Sequence, residues 1–282
     1  MKINILHAGL NVFFDRKCDI IYGLFHALSD LGHDVTINHN IIERSSLNLV
    51  IGSDIICEDE TIIDTLVSTN CDYAVYEVEN FNGETINYRT NFDVAAYTRL
   101  IEHSAFTITP YHHNLKALKK IKCAEKLLYS RWGFHSSMVS NNIRRDRPYK
   151  YAAVFIGLIK GDRIEKHKTI KEKFGNRVAF VDSDAPFTIR DYYMSNSKFG
   201  LSLSYGATDN FVNPFRLHYM VSNGVPVLSD HVHDEDSYLD ICNNSLFERI
   251  LDSIELKTAI PDHKLDICQA NKLTDNLSEI FS

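Results

Sequence analysis

Glu77 and Glu79 stand two residues apart, directly after the strand-like run Asp72-Tyr-Ala-Val-Tyr76. Carboxylates at that spacing project from the carboxyl edge of a sheet, where one of them can take a proton from a substrate hydroxyl. The alternative for each is a solvated loop acid. A second constellation is the turn Gly157-Leu-Ile-Lys160-Gly-Asp-Arg163, which follows another strand-like run. Glycines at a strand-to-helix turn let the backbone approach an anion, and Lys160 and Arg163 add full charges beside it. The alternative is a tight turn with two solvated bases. A third is Asn213-Pro-Phe-Arg216, in which Asn213 reads as an N-cap and Pro214 as the first helical residue. Arg216 then falls in the first turn, against the helix dipole, so an anionic partner from substrate or protein is expected. His7 and Asn11 after the first strand, and His112 after Thr109-Pro110, are candidates for the acceptor side.

These residues need elements to hold them. Strand-like runs at 2–6, 34–38, 47–51, 73–76, 106–109 and 127–129 alternate with helix-length segments. In the first of those segments, apolar residues at 20, 21, 24, 25, 28 and 31 share one helical face, and Gly32 ends it. The polar, basic stretch 139–149 reads as a linker. A second alternating series follows, with strands at 152–156, 178–181, 199–203 and 225–228. Short, nearly continuous apolar strands separated by helices imply parallel sheets covered on both faces. The expected fold is therefore α/β: two Rossmann-like doubly wound domains facing a cleft, residues 1–140 and 148–263. Segment 264–282 is expected as a C-terminal helix packing back on the N-terminal domain.

Charge and motifs narrow the function. A formal net charge of -7 argues against a dedicated nucleic-acid binder. Six scattered cysteines without C-x-x-C spacing read as reduced thiols of a cytoplasmic protein. The first residues lack a signal-peptide pattern, and no run approaches the roughly 20 apolar residues of a transmembrane segment. The basic stretch Asn114–Lys126, expected as one helix, is either a solvated face or a peripheral contact with anionic lipid or an acidic acceptor. His7-Ala-Gly-Leu-Asn11 is not a G-x-G-x-x-G turn, so no cofactor is expected. The run His231-Val-His-Asp-Glu-Asp236 reads as a polar loop, and no metal is expected.

The stretch Asn213-x-x-Arg216-x-x-Tyr219-x-x-x-x-Gly224-Val-Pro-Val-Leu-Ser-Asp230 resembles the donor-site helix and following strand of GT-B glycosyltransferases. It is most similar to the group 1-like branch of surface-glycan and spore-coat enzymes, with a distant similarity to phage DNA glucosyltransferases. Arg131-Trp-Gly-Phe-His135 is similar to the segment with which these enzymes leave their first domain. The resemblance implies that Arg216 holds a nucleotide diphosphate, with Gly157, Lys160, Arg163 and Asn213 around it. The family's ribose-binding glutamate position holds Tyr219, preceded by His218. Either of these meets the ribose, or donor choice is altered.

The resemblance implies a metal-independent enzyme that moves a sugar from a nucleotide-diphosphate sugar to a hydroxyl acceptor in surface-glycan synthesis. The acceptor would be a glycan, a lipid-linked glycan or modified DNA. Three other functions fit the same residues: a phage-type DNA base glucosyltransferase, a non-catalytic nucleotide-binding module and a nucleotide-sugar epimerase.

Overall fold

Apolar strands too short to stand alone are stabilised only when helices cover both faces of their sheet, and the chain does this twice. A computed structural model describes residues 1–7, 12–57, 60–69, 71–87, 92–146, 148–206, 212–255 and 264–282, side chains 12–16 and 60 excepted. Asn11 lies outside the described residues. The chain divides into one unit of Met1–Trp132 with Leu273–Ser282, and a second of Gly133–Lys272.

The first unit contains β1 (Lys2–His7), α1 (Val12–Asp30), β2 (Asp34–His39), β3 (Leu47–Ile51), α2 (Ser53–Ile56), α3 (Glu60–Ser68) and β4 (Tyr73–Tyr76). It continues with α4 (Val94–His103), β5 (Thr107–Thr109), α5 (His112–Leu118) and β6 (Leu127–Tyr129). Its strands pair in parallel in the order β2-β1-β3-β4-β5-β6. Ile5, Leu6, Leu49–Ile51 and Tyr73–Tyr76 are buried, as is the face of α1 carrying Ile20, Ile21, Leu24 and Leu28. Two polar residues inside the sheet satisfy one another: Asn4 Nδ2 donates to Asn48 Oδ1 at 2.9 Å, and Asn48 Nδ2 donates to Glu43 O at 2.9 Å.

The basic stretch expected as one helix is shorter: α5 ends at Leu118. Lys122 is buried, and its ammonium donates to the carbonyls of Ile101, Glu102 and Ser104 at 2.7, 3.1 and 2.5 Å. A cation that closes the C-terminal end of α4 in this way is favoured by the helix dipole and is not part of a solvated face.

The second unit contains β7 (Tyr151–Ile156), α6 (Arg163–Phe174), β8 (Val178–Val181), α7 (Phe187–Ser195), β9 (Ser197–Ser202) and α8 (Pro214–Ser222). It closes with β10 (Val227–Ser229), β11 (Asn243–Asn244), α9 (Phe247–Glu255) and α10 (Leu265–Ala270). These strands are also parallel, in the order β11-β10-β9-β7-β8. One core cluster contains Phe155, Phe199, Leu201, Ile250 and Ile254.

The units divide within the Arg131–His135 segment, not in the stretch 139–149 read as a linker. That stretch is bonded to the second unit. Ser140 N–H donates to Asn223 Oδ1 at 2.6 Å, and the Arg145 guanidinium donates to the carbonyls of Met194, Ser197 and Lys198. The expected terminal helix over 264–282 is two helices. α10 stays with the second unit, and α11 (Leu273–Phe281) belongs to the first. There Phe281 is buried against Phe106 and His33, at ring-centroid distances of 6.0 and 6.2 Å.

Helix α8, which carries Arg216, lies close against β9 because residue 200 has no side chain: a Cβ there would come 2.5 Å from Met220 Sδ. Gly200→Ala is therefore expected to cost about 1–3 kcal/mol of stability in urea denaturation. Met220→Ala added to it should recover part of that loss relative to its own single effect. Strict additivity of the two would rule out the contact as the cause.

Candidate functional site

In the second unit β7 ends at Ile156, and the chain turns through Gly157–Asp162 into α6. Gly157 has φ 151°, and a Cβ there would stand 2.7 Å from Arg216 Nη1. Gly161 has φ 57°, and its Cβ would stand 2.6 Å from Tyr205 O. Both positions disfavour a side chain by conformation; at Gly161 backbone also stands in its way, and at Gly157 a Cβ would displace the Arg216 guanidinium. The turn is fastened to the chain leaving β9. Asp162 N–H donates to Tyr205 O at 2.9 Å, and Arg163 Nε donates to Leu203 O at 2.8 Å. The Arg163 guanidinium also lies 5.6 Å from the ring centroids of Phe155 and Tyr205.

Asn213 caps α8 as its sequence suggests: its Oδ1 accepts the Arg216 N–H at 3.0 Å, with Pro214 in the first turn. The Arg216 guanidinium reaches from there to the backbone of Gly157. Arg163, Asn213, Arg216 and His231 line one narrow crevice at this end of the sheet. Lys160 is exposed on the same turn.

Sequence reasoning passed over Lys166. Its ammonium meets Asp230 Oδ2 at 2.6 Å and Ser204 Oγ at 2.5 Å, while Asp230 Oδ1 accepts the Ser204 N–H at 2.6 Å. The available signal was its spacing, one helical turn beyond Arg163 and on the same face.

Tyr219 and His218 have partners within the second unit. The Tyr219 hydroxyl donates to Asp191 Oδ1 at 2.8 Å, and Asp191 Oδ2 accepts from Ser140 Oγ at 2.6 Å. His218 is buried, with Nδ1 2.8 Å from Pro214 O and its ring edge-on to Tyr238. These contacts fix α8 to α7 and to the segment around residue 140.

In the first unit the carboxyl ends of β1, β3 and β4 carry a buried network of charges. Lys17 Nζ, 6% exposed, meets Asp54 Oδ1 at 2.7 Å and Glu79 Oε1 at 2.8 Å. Burial disfavours that ammonium, but Asp54 and Glu79 outweigh it and raise the Lys17 pKa well above its ordinary value. Glu79 keeps part of its side chain exposed and also accepts from Asn87 Nδ2. Glu77 is fully buried. Its Oε2 accepts from Ser53 Oγ at 2.6 Å and Tyr97 OH at 2.8 Å, and its Oε1 accepts the Glu79 N–H at 2.8 Å. Burial raises its pKa to about 7, against the opposing pull of those three donors. His7 is buried and stacks on His39 at 5.6 Å. Burial first, and the nearby Lys17 charge second, lower its pKa to about 4. His112 is exposed at its edge and stacks on Tyr129 at 3.8 Å.

No protein-family model and no curated protein matches the sequence. Solved structures match it at the level of fold. "Anabaena Alr3699/HepE in complex with UDP and glucose" is 11% identical with a TM-score of 0.57, over 100% of this chain and 98% of that one. An "alpha-glucosyltransferase in complex with UDP and a 13_mer DNA containing a HMU base" is 11% identical with a TM-score of 0.55, over 100% and 94%. A "UDP-N-acetylglucosamine 2-epimerase" is 11% identical with a TM-score of 0.52, over 98% and 93%. The two parallel, helix-covered sheets are those of the GT-B fold.

The perturbed pair Glu77 and His7 makes stability depend on pH in opposite senses. A folded pKa of about 7 means that the native state holds the Glu77 proton more tightly than the unfolded chain does. Its contribution is thus present below the ordinary value of 4.5 and lost as pH rises towards 7. His7, lowered to about 4, contributes above 6.5 and is lost as pH falls towards 4. Glu77→Gln, which mimics the protonated acid, should gain on the native protein by up to about 3 kcal/mol between pH 4.5 and 7.5. Urea titrations across that range measure the difference, and a flat difference would remove Glu77 as the titrating group.

Proposed function

We propose that the chain is a metal-independent glycosyltransferase that moves a sugar from a nucleotide-diphosphate sugar to a hydroxyl acceptor in the synthesis of a surface glycan. The observation that carries this reading is the guanidinium of Arg216 held at a helix N-terminus, against a backbone turn where a Cβ at Gly157 would displace it. Guanidinium, helix N-terminus and glycine turn together suit an anion with two phosphoryl groups. Lys160 and Arg163 add positive charge to the same turn. In the transfer, the bond from the anomeric carbon to the diphosphate breaks, and the carbon bonds to the acceptor oxygen. The departing diphosphate collects negative charge, which these groups stabilise without moving.

The acceptor hydroxyl must release a proton, and of the two acids after β4 the partly exposed Glu79 is assigned as its base. Glu77, fully buried beneath it, holds the Glu79 backbone. His7, Asn11 and His112 complete the acceptor side. Tyr219 and His218 also serve the packing of α8. The two neighbours holding UDP support uridine diphosphate as the first nucleotide to test. Five buried free thiols support a cytoplasmic setting. Among the described residues no helix is long and apolar enough to cross a membrane, and contact with a membrane-borne acceptor would be peripheral.

The epimerase neighbour favours a second reading, in which the same fold rearranges the sugar of the nucleotide donor. Incubation with UDP-glucose and UDP-N-acetylglucosamine separates the two by NMR. A transferase releases UDP slowly to water, whereas an epimerase yields a second sugar epimer. No thermal shift with any nucleotide would sink both readings. Arg216→Ala should weaken UDP binding by about 2 kcal/mol, roughly thirty-fold, in calorimetry. Unchanged affinity would remove Arg216 from the site.

A further inference from the structure

A second cavity lies in the second unit, at the opposite edge of its sheet. Its lining comes from the strap at 140–146 and from one face of α7: Asn142, Arg144, Thr188, Asp191, Tyr192 and Asn196. Tyr151 and Ser197, which begin β7 and β9, are paired at this amino-terminal edge. Gly157 follows the other end of β7, six residues and roughly 20 Å along the strand. The cavity is therefore separate from the Arg216 crevice.

Its walls are fixed. Ser195 Oγ accepts the Arg144 N–H at 3.0 Å and donates to Asn142 O at 3.2 Å, so the strap is clasped to the end of α7. The three carbonyls bonded to Arg145 hold it from below. Both carboxylate oxygens of Asp191, the buried floor, are used by Ser140 and Tyr219. The rim differs. Tyr192 is 47% exposed. The side chains of Asn142, Arg144 and Thr188 make no hydrogen bond to any described residue. An open aromatic face beside an unspent amide, guanidinium and hydroxyl suits sugar rings, with a C–H face for the tyrosine and paired hydroxyls for the planar polar groups. The exposed guanidinium of Arg144, with the one lining carboxylate already satisfied, favours a negatively charged chain.

We infer that this cavity binds an acidic oligosaccharide. The inference deepens the transferase reading and rests on it for its purpose. A transferase that holds its polymeric acceptor at a second place raises the effective concentration of the chain end. The site commits to saccharide over nucleic acid because one exposed ring offers no succession of stacking platforms for bases.

Calorimetry and saturation-transfer NMR on the full chain test it, with octagalacturonate and a hyaluronan octasaccharide as probes. Maltohexaose and a single-stranded DNA 12-mer are the contrasts. At least one acidic probe should bind more tightly than either contrast. Tyr192→Ala and Arg144→Ala should each weaken it at least tenfold, Tyr192→Phe should keep most of the affinity, and UDP binding should be unchanged in all three. Failure of both acidic probes, equal binding of maltohexaose, tighter binding of DNA or indifference to Tyr192→Ala would each overturn the inference. Loss of UDP binding in the unaltered protein would instead sink the transferase reading, and the two failures are thus distinguishable.

Discussion

Arg216 sits where a helix dipole works against it, and the surrounding chain is arranged to keep it there. Asn213 satisfies an N–H of the first turn, Pro214 fixes the entry of α8, and Gly157 leaves room for the guanidinium. Gly200 lets the same helix sit close on β9. A cation in the first turn forfeits some tenths of a kilocalorie per mole of dipole interaction. The turn, the cap and the missing side chains act together to hold the Arg216 guanidinium at the start of α8.

The first unit meets a different electrostatic demand. Lys17, Asp54, Glu77 and Glu79 gather at the ends of buried strands, where an unpaired charge would be severely destabilising. Lys17 answers two carboxylates at once. Among the described residues Glu77 has no cation against it and relies on three neutral donors, so burial draws its proton affinity up towards neutrality. Two acids two positions apart in the chain thus have different characters, one ion-paired at the surface of the network and one sealed inside it.

Local rules made much of this legible. The cap at Asn213, the proline after it, the glycine turn at 157–161 and the apolar face of α1 depend on residues within a turn or two of one another, and the chain follows them. What escaped was set by partners distant in sequence. Lys166 meets Asp230 from an element 64 positions away, and nothing around Lys166 marks it except its helical spacing from Arg163. Glu77 and Glu79 look alike on paper because burial is a property of the packed sheet. The stretch 139–149 reads as a linker since it is poor in apolar residues. It is in fact bonded through polar groups, Ser140 and Arg145 completing the ends of α7 and β9. Tyr219 invites comparison with a ligand-binding position, yet Asp191 takes its hydroxyl.

The return of α11 to the first unit bears on how the chain folds as it is synthesised. Phe281 fills the space beside Phe106 and His33, so part of that unit's core waits for the last ten residues. Between Trp132 and Leu273 the ribosome must make the whole of the second unit. At typical rates of elongation this takes on the order of ten seconds. During that interval the nascent first unit lacks the side chain that fills this space, and an apolar notch beside Phe106 stays open to solvent.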